Sequence, residues 1–165
     1  MQYEEAKAIE IDQDVFITEE SLRRARNKRI VVENVFWSGT IGLIPIPFLD
    51  IVGITAIQVK MLNELSIEYG VKFRRNRAKA LVASVSSGLG LHAISSLKLV
   101  PGVGSGTSGI GVSIAGGALT YAVGSFFIEH FEAGGTLDNV EIEKARERMK
   151  TLVEEGKTVV SKKQR

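Results

Sequence analysis

Residues 80–128 read ALVASVSSGLGLHAISSLKLVPGVGSGTSGIGVSIAGGALTYAVGSFFI, and the single formal charge among them is Lys98. Two uncharged stretches result, 80–97 and 99–128, of 18 and 30 residues. A helix on the surface of a soluble domain carries a charged residue every turn or two on its wet face, so both stretches are burial signals, in protein or in lipid. Pro101 and Gly102 break the run, and the pattern predicts a Gly-rich apolar helical hairpin over 80–128 with limbs at 80–97 and about 108–128. Each limb approaches the roughly 20 residues that span hydrocarbon, although 80–97 is short and serine-rich.

The second limb is built from small residues. Gly109, Gly116, Gly117 and Gly124 alternate with Ser113, Ala115, Ala118 and Ala122, a spacing that lets helix backbones approach closely. Each interior glycine costs about 1 kcal/mol of helix propensity relative to alanine, so lipid or a tight protein interface must offset it. These four glycines are the candidate helix-packing residues, with self-association as the expected use. Gly104–Gly109 is also a literal GxGxxG, with Glu129 twenty residues after Gly109. A dinucleotide site needs a strand before those glycines and a second strand ending at the acid. Pro101 interrupts the lead-in, and eight of the seventeen glycines fall within 102–124, so a chance match is easy.

Five basic residues, Lys72, Arg74, Arg75, Arg77 and Lys79, lead into the first limb. Upstream, Asp50 reads as the cap of an apolar helix over 51–69 with Gly70 as its C-cap, and Pro45 and Pro47 form the turn before it. Thr18 with Glu19 and Glu20 opens a further helix, from about 19 to 43. Its first half carries Arg23, Arg24, Arg26, Lys28 and Arg29; its second half turns apolar through Val31, Val32, Val35, Phe36 and Trp37. A faint echo links RRARNK at 23–28 with RRNRAK at 74–79, and LIP at 43–45 with LVP at 99–101. Two helical hairpins follow from it. Residues 1–17 read as an extended arm, and 139–155 as a charged helix outside the hairpins, ended by Gly156 and followed by a basic tail. The domain division is therefore an arm at 1–17, a helical-hairpin domain at 18–137 and a charged C-terminal segment at 138–165.

Both basic clusters precede apolar runs directly, the arrangement expected of segments that hold anionic headgroups. A solvated face or a partner contact is the plainer reading. Nucleic acid is disfavoured: the net charge is only +2, and the clusters lack interleaved aromatic residues. Cysteine is absent, which removes disulfides, thiolate metal sites and a cysteine nucleophile. Glu129, His130 and Glu132 sit on one turn and do not converge on a metal, Asp50 and Lys60 do not make a convincing acid and base, and no GxSxG, Walker A lysine or HExxH is present. We therefore assign no catalytic residue, cofactor or metal. The N-terminal stretch MQYEEAKAIEIDQD is acidic and polar where a signal peptide is basic and then apolar.

Gly42–Asp50 (GLIPIPFLD), followed by IVGITAIQVKMLNEL at 51–65 and Tyr69-Gly70, resembles the bacterial family catalogued as domain of unknown function 697, the YcjF-like GTPase-associated proteins. The Gly-rich apolar hairpin and the aromatic-acidic exit at Phe126–Glu132 fit the same pattern, which covers roughly residues 30–137. The resemblance implies a membrane-linked accessory role. Members occur alone or fused to small GTPase domains, and since this chain has no GTPase motifs, a GTPase would be a separate partner. No catalytic residue carries over.

The expected fold is all-α, two apolar helical hairpins with a charged C-terminal helix. The expected function is a non-enzymatic scaffold or adaptor on the cytoplasmic face of an anionic membrane, peripheral or integral, that self-associates and works with a separate GTPase. The alternative is a cytoplasmic homo-oligomer that buries its Gly/Ala-rich helices between subunits. A nucleotide-binding enzyme using 104–109 is the third reading. In a spanning hairpin, 72–79 and 129–132 share the cytoplasmic side with both termini.

Overall fold

In the computed structural model the described residues are 2–41, 49–87, 89 and 108–163, with side chains described over 19–40, 52–87, 89, 114–160 and at 162. Five helices lie among them: α1 (Gln2–Ile41), α2 (Leu49–Glu68), α3 (Arg75–Ser86), α4 (Ser108–Glu132) and α5 (Ile142–Lys163). The fold is all-α.

Helix α4, uncharged from Ser108 to Ile128, forms the axis, and α1, α2, α3 and α5 all pack against it. Every residue from Ala115 to Thr120 is buried, as are Ala122, Val123, Phe127 and Phe131. Over 115–127 the burial signal in the sequence is thus met by protein. Among the described residues no helix is long and apolar enough to cross a membrane. The residue neighbours fix the directions. Gly116 sits beside Ser38 and Ile54, and Gly124 beside Val31 and Met61, so α4 runs antiparallel to α1 and parallel to α2. Arg148 meets Glu129 and Val160 meets Gly117, which sets α5 antiparallel to α4. The result is an up-down bundle with a core of Met61, Leu62, Leu65, Phe127, Met149 and Leu152.

Glycines Gly70 (φ 64°) and Gly134 (φ 79°) end α2 and α4 in the left-handed region. In each case the amide one residue beyond the glycine reaches back over the last turn: Val71 N–H to Ser66 O (2.8 Å), and Gly135 N–H to His130 O (2.8 Å). With the glycine amides bonded to Ile67 and Phe131, these are Schellman caps.

Four expectations are corrected. The expected arm at 1–17 is helical from Gln2 onward; Glu, Ala and Lys in YEEAKAIE are strong helix formers, and no glycine or proline interrupts the run. The limb 80–97 does not start at Ala80: α3 begins at Arg75, inside the basic cluster, and stops at Ser86, where Ser87 turns extended. Its twelve residues cover about 18 Å, short of the roughly 30 Å of a hydrocarbon core. The C-terminal helix is not outside the bundle, because Ala145, Met149, Leu152, Val153 and Val160 are buried against α4 and its neighbours. Finally, Gly156 does not end α5, which runs on to Lys163. Its missing side chain instead admits the α4 backbone.

A Cβ on Gly156 would lie 2.7 Å from the carbonyl oxygen of Ala118 and 2.9 Å from its Cα. Backbone cannot yield as a side-chain tip does, so Gly156→Ala is expected to destabilise by roughly 1–3 kcal/mol despite alanine's better helix propensity. Gly70→Ala meets open space and carries only the strain of positive φ, about 1 kcal/mol. Thermal unfolding of both variants checks this. A Gly156→Ala protein as stable as the parent would mean that α4 and α5 are not in contact there.

Candidate functional site

Helix α1 places side chains on three sides. Asn27, Val31, Asn34 and Ser38 are buried. Its solvent side carries Leu22, Arg29 and Phe36, each seven residues apart and hence on one stripe, with Trp37 beside Phe36. Leu22, Phe36 and Trp37 are 52%, 59% and 52% exposed, unusual for side chains of that size. Phe36 and Trp37 meet edge to face with ring centroids 5.9 Å apart. The apolar second half of this helix is therefore only half core: Val31 is buried, whereas the two aromatics face outward.

The two basic clusters come to the same end of the bundle, and part of each is spent on holding that end together. Arg26 Nε donates to Glu68 (2.7 Å), Arg24 pairs with Glu20, and the Arg23 guanidinium lies 5.8 Å over the Tyr69 ring. Arg77 donates to the backbone carbonyls of Leu137 (3.0 Å) and Asp138 (3.3 Å), and Arg74 reaches the Asp138 carboxylate at 3.8 Å. Lys28, Arg29, Lys72, Arg75 and Lys79 are exposed and form no ion pair with a described residue. These five keep their charge outward. Pro45 and Pro47 lie outside the described residues. Asp50 is the second residue of α2, with its side chain outside them.

Beside Arg23 and Arg26 a hydrogen-bonded chain crosses from α1 to α4. Tyr69 Oη donates to Glu132 Oε1 (3.1 Å) and accepts from Asn27 Nδ2 (2.6 Å). Burial, then the adjacent Glu132 carboxylate, push the Tyr69 phenol up to about 12. Asn27 and Glu132 also line a cavity of about 450 Å³ between α1, α4 and α5. Deeper in the bundle a second polar chain joins three helices: Thr120 donates to Ser38 Oγ (2.7 Å), and Gln58 Nε2 donates to Thr120 (3.3 Å). All three residues are buried, and their polarity gave no hint of it in the sequence.

The small-residue face is occupied within the chain. A Cβ on Gly116 would come 2.9 Å from Ile54, one on Gly117 3.2 Å from Val160, and one on Gly124 2.7 Å from Val31. Gly116, Gly117 and Gly124 thus serve contacts to α1, α2 and α5, where contacts between subunits were expected. Gly109 is in the first turn of α4, and Gly104–Thr107 lie outside the described residues. The dinucleotide reading needs a βαβ unit, and no strand occurs among the described residues. Glu129, His130 and Glu132 diverge: Glu129 takes a two-pronged contact from Arg148 (2.6 and 3.0 Å), His130 faces Thr136 and Asn139, and Glu132 faces Tyr69. Lys60 pairs with Glu64 (2.6 Å). Among the described residues no group of three His, Cys, Asp or Glu could hold a metal ion.

The family described as Domain of unknown function (DUF697) matches residues 17–158. Magnetosome membrane protein 22 of Magnetospirillum gryphiswaldense is 33% identical over 127 residues, 73% of this chain and 65% of the relative. The chain thus spans about two thirds of the length of that relative. No solved structure matches the chain.

The folded state keeps the Tyr69 proton to higher pH than the unfolded chain, whose tyrosines titrate near pH 10. Its contribution to stability is therefore complete below about pH 10 and is lost as pH rises toward 12. Tyr69→Phe should flatten the fall in denaturation midpoint across that window relative to the parent. Identical slopes in the two proteins would show that the phenol is not held by Glu132.

Proposed function

The chain belongs to the DUF697 family, a domain of unknown function, and from that membership we propose that it is a non-enzymatic, peripheral membrane adaptor that lies on an anionic bilayer along the outer stripe of α1. The observation that carries the reading is the exposure of Phe36 and Trp37 beside Leu22 and the outward cations Lys28 and Arg29. Aromatic rings at headgroup depth with basic residues alongside are the chemistry of an interfacial helix. The relative named as a membrane protein supports the same direction. The enclosure of α4 by its own bundle supports attachment to the surface of the bilayer over a spanning hairpin. Lys72, Arg75 and Lys79, at the end of the bundle, face the partner, and the family resemblance makes that partner a separate GTPase. No described cluster supplies a nucleophile with an adjacent base, which favours an adaptor over an enzyme.

Trp37 is the only tryptophan, so its fluorescence reads the proposed contact without a label. Anionic vesicles should shift the emission to the blue, and brominated lipids should quench it. Changing Phe36 and Trp37 to serine removes roughly 1 kcal/mol each, weakening flotation with vesicles by roughly tenfold to thirtyfold. Lys28→Gln with Arg29→Gln should weaken it at low salt and less at high salt. Vesicle binding unaffected by all four changes would reject this face. Concentration-dependent dimerisation that shields Trp37, with no vesicle binding, would favour the homo-oligomer.

A further inference from the structure

The cavity between α1, α4 and α5 lies on a different side of α1 from the exposed aromatics, and its walls are sorted by chemistry. At the end nearest Tyr69 stand Arg24, Lys28 and Glu132; toward the other end the lining is Val31, Val32, Tyr121 and Val159. Arg24 and Lys28 are four residues apart on one helix face, and Lys28 has no ion-pair partner among the described residues. From Arg24 to Val32 the wall rises about 12 Å at 1.5 Å per residue. A volume of about 450 Å³ is in the range of small-molecule sites.

We propose that this cavity binds one single-chain anionic amphiphile, its acyl chain against Val31, Val32, Tyr121 and Val159 and its carboxylate or phosphate on Lys28 and Arg24. Charge complementarity selects the occupant. The apolar wall offers nothing to a fully polar anion, and the two cations give an uncharged chain no advantage. Accepting from Tyr69 does not remove the Glu132 charge, and Arg24 also pairs with Glu20, so Lys28 is the cation at this end that has no ion-pair partner among the described residues. Asn27 adds a second mark of a ligand site. Tyr69 donates to Glu132 and so accepts from Asn27, which fixes the amide nitrogen on the Tyr69 side. Asn27 is 2% exposed, lines the cavity, and its Oδ1 accepts no hydrogen bond. An acceptor buried without a donor is costly, and the P–OH of a monoanionic phosphate head would satisfy it where a carboxylate would not.

The site shares Lys28 with the proposed membrane face and is otherwise distinct from it, so the filling variants, which leave Lys28 in place, separate the two readings. Decanoate and decyl phosphate, below their micelle concentrations, are titrated calorimetrically into the full chain, with decanol as the uncharged control. Saturable binding of the anions, at least tenfold tighter than decanol, is expected. Arg24→Gln with Lys28→Gln should remove about that tenfold for the anions and leave decanol unchanged. Ser125→Phe fills the cavity and should abolish binding of all three probes; Val32→Phe does the same from α1 where the first variant fails to fold. Both filling variants should still float with anionic vesicles as the parent does. Absence of saturable binding, binding that survives a folded filling variant, or equal affinity for decanol and decanoate would each overturn the proposal. A filling variant that loses vesicle flotation while decanoate binding persists would overturn it in favour of the bilayer itself as the occupant.

Discussion

The bundle depends on the close approach of helix backbones to α4. A helix enclosed by four others must present little bulk wherever a neighbour comes near, and α4 does so with Gly116, Gly117, Ala118, Ala122 and Gly124. Val31 and Met61 occupy the space that a side chain at Gly124 would fill, and Gly156 returns the favour from α5 by exposing its own backbone to Ala118. The propensity lost at each glycine is offset by the dense packing of the larger side chains around it. Placement of α1, α2 and α5 follows from these contacts, and with it the direction in which the exposed side chains of α1 point.

Polar groups then fix register where apolar packing is permissive. The Ser38–Thr120–Gln58 chain ties α1, α4 and α2 at one level of the core, and the Asn27–Tyr69–Glu132 chain ties the same helices near the end of α2. Arg146 acts similarly between α5 and α3, donating to the Ser84 carbonyl (3.0 Å) and the Ser87 hydroxyl (3.2 Å), where α3 stops. Asn139 closes the loop after α4 by accepting from the Thr136 amide (2.7 Å). Two Schellman caps and these cross-links make the α2–α3 and α4–α5 connections well defined. The acids Glu68 and Asp138 hold Arg26 and Arg77, which leaves a smaller outward positive charge than the clusters suggest.

The sequence made the all-α class, the span of α2, its Gly70 cap and the start of α4 legible, because each rests on local chemistry. Burial of 115–127 was legible too, yet hydrocarbon and protein give the same absence of charge, and only the neighbours decide between them. Gly156 shows the limit most sharply. A glycine near a helix end reads as a cap, and nothing local says that a second backbone passes it. Phe36 and Trp37 were submerged in an apolar run that looked like core, and the pairing of Arg26 with Glu68, 42 residues away, has no local signal. The candidate site was therefore legible in its basic residues and illegible in its aromatic ones, whose significance lies in facing outward.

The remaining features of the bundle follow from the enclosure of α4 by this chain's own helices. Hydrogen exchange in buffer free of detergent and lipid tests it most directly. The amides from Ala115 to Phe127 should be the slowest in the chain, opening only with global unfolding. Rapid exchange across α4 in that buffer, with protection gained only on adding detergent or vesicles, would contradict it and make lipid the medium that buries the helix.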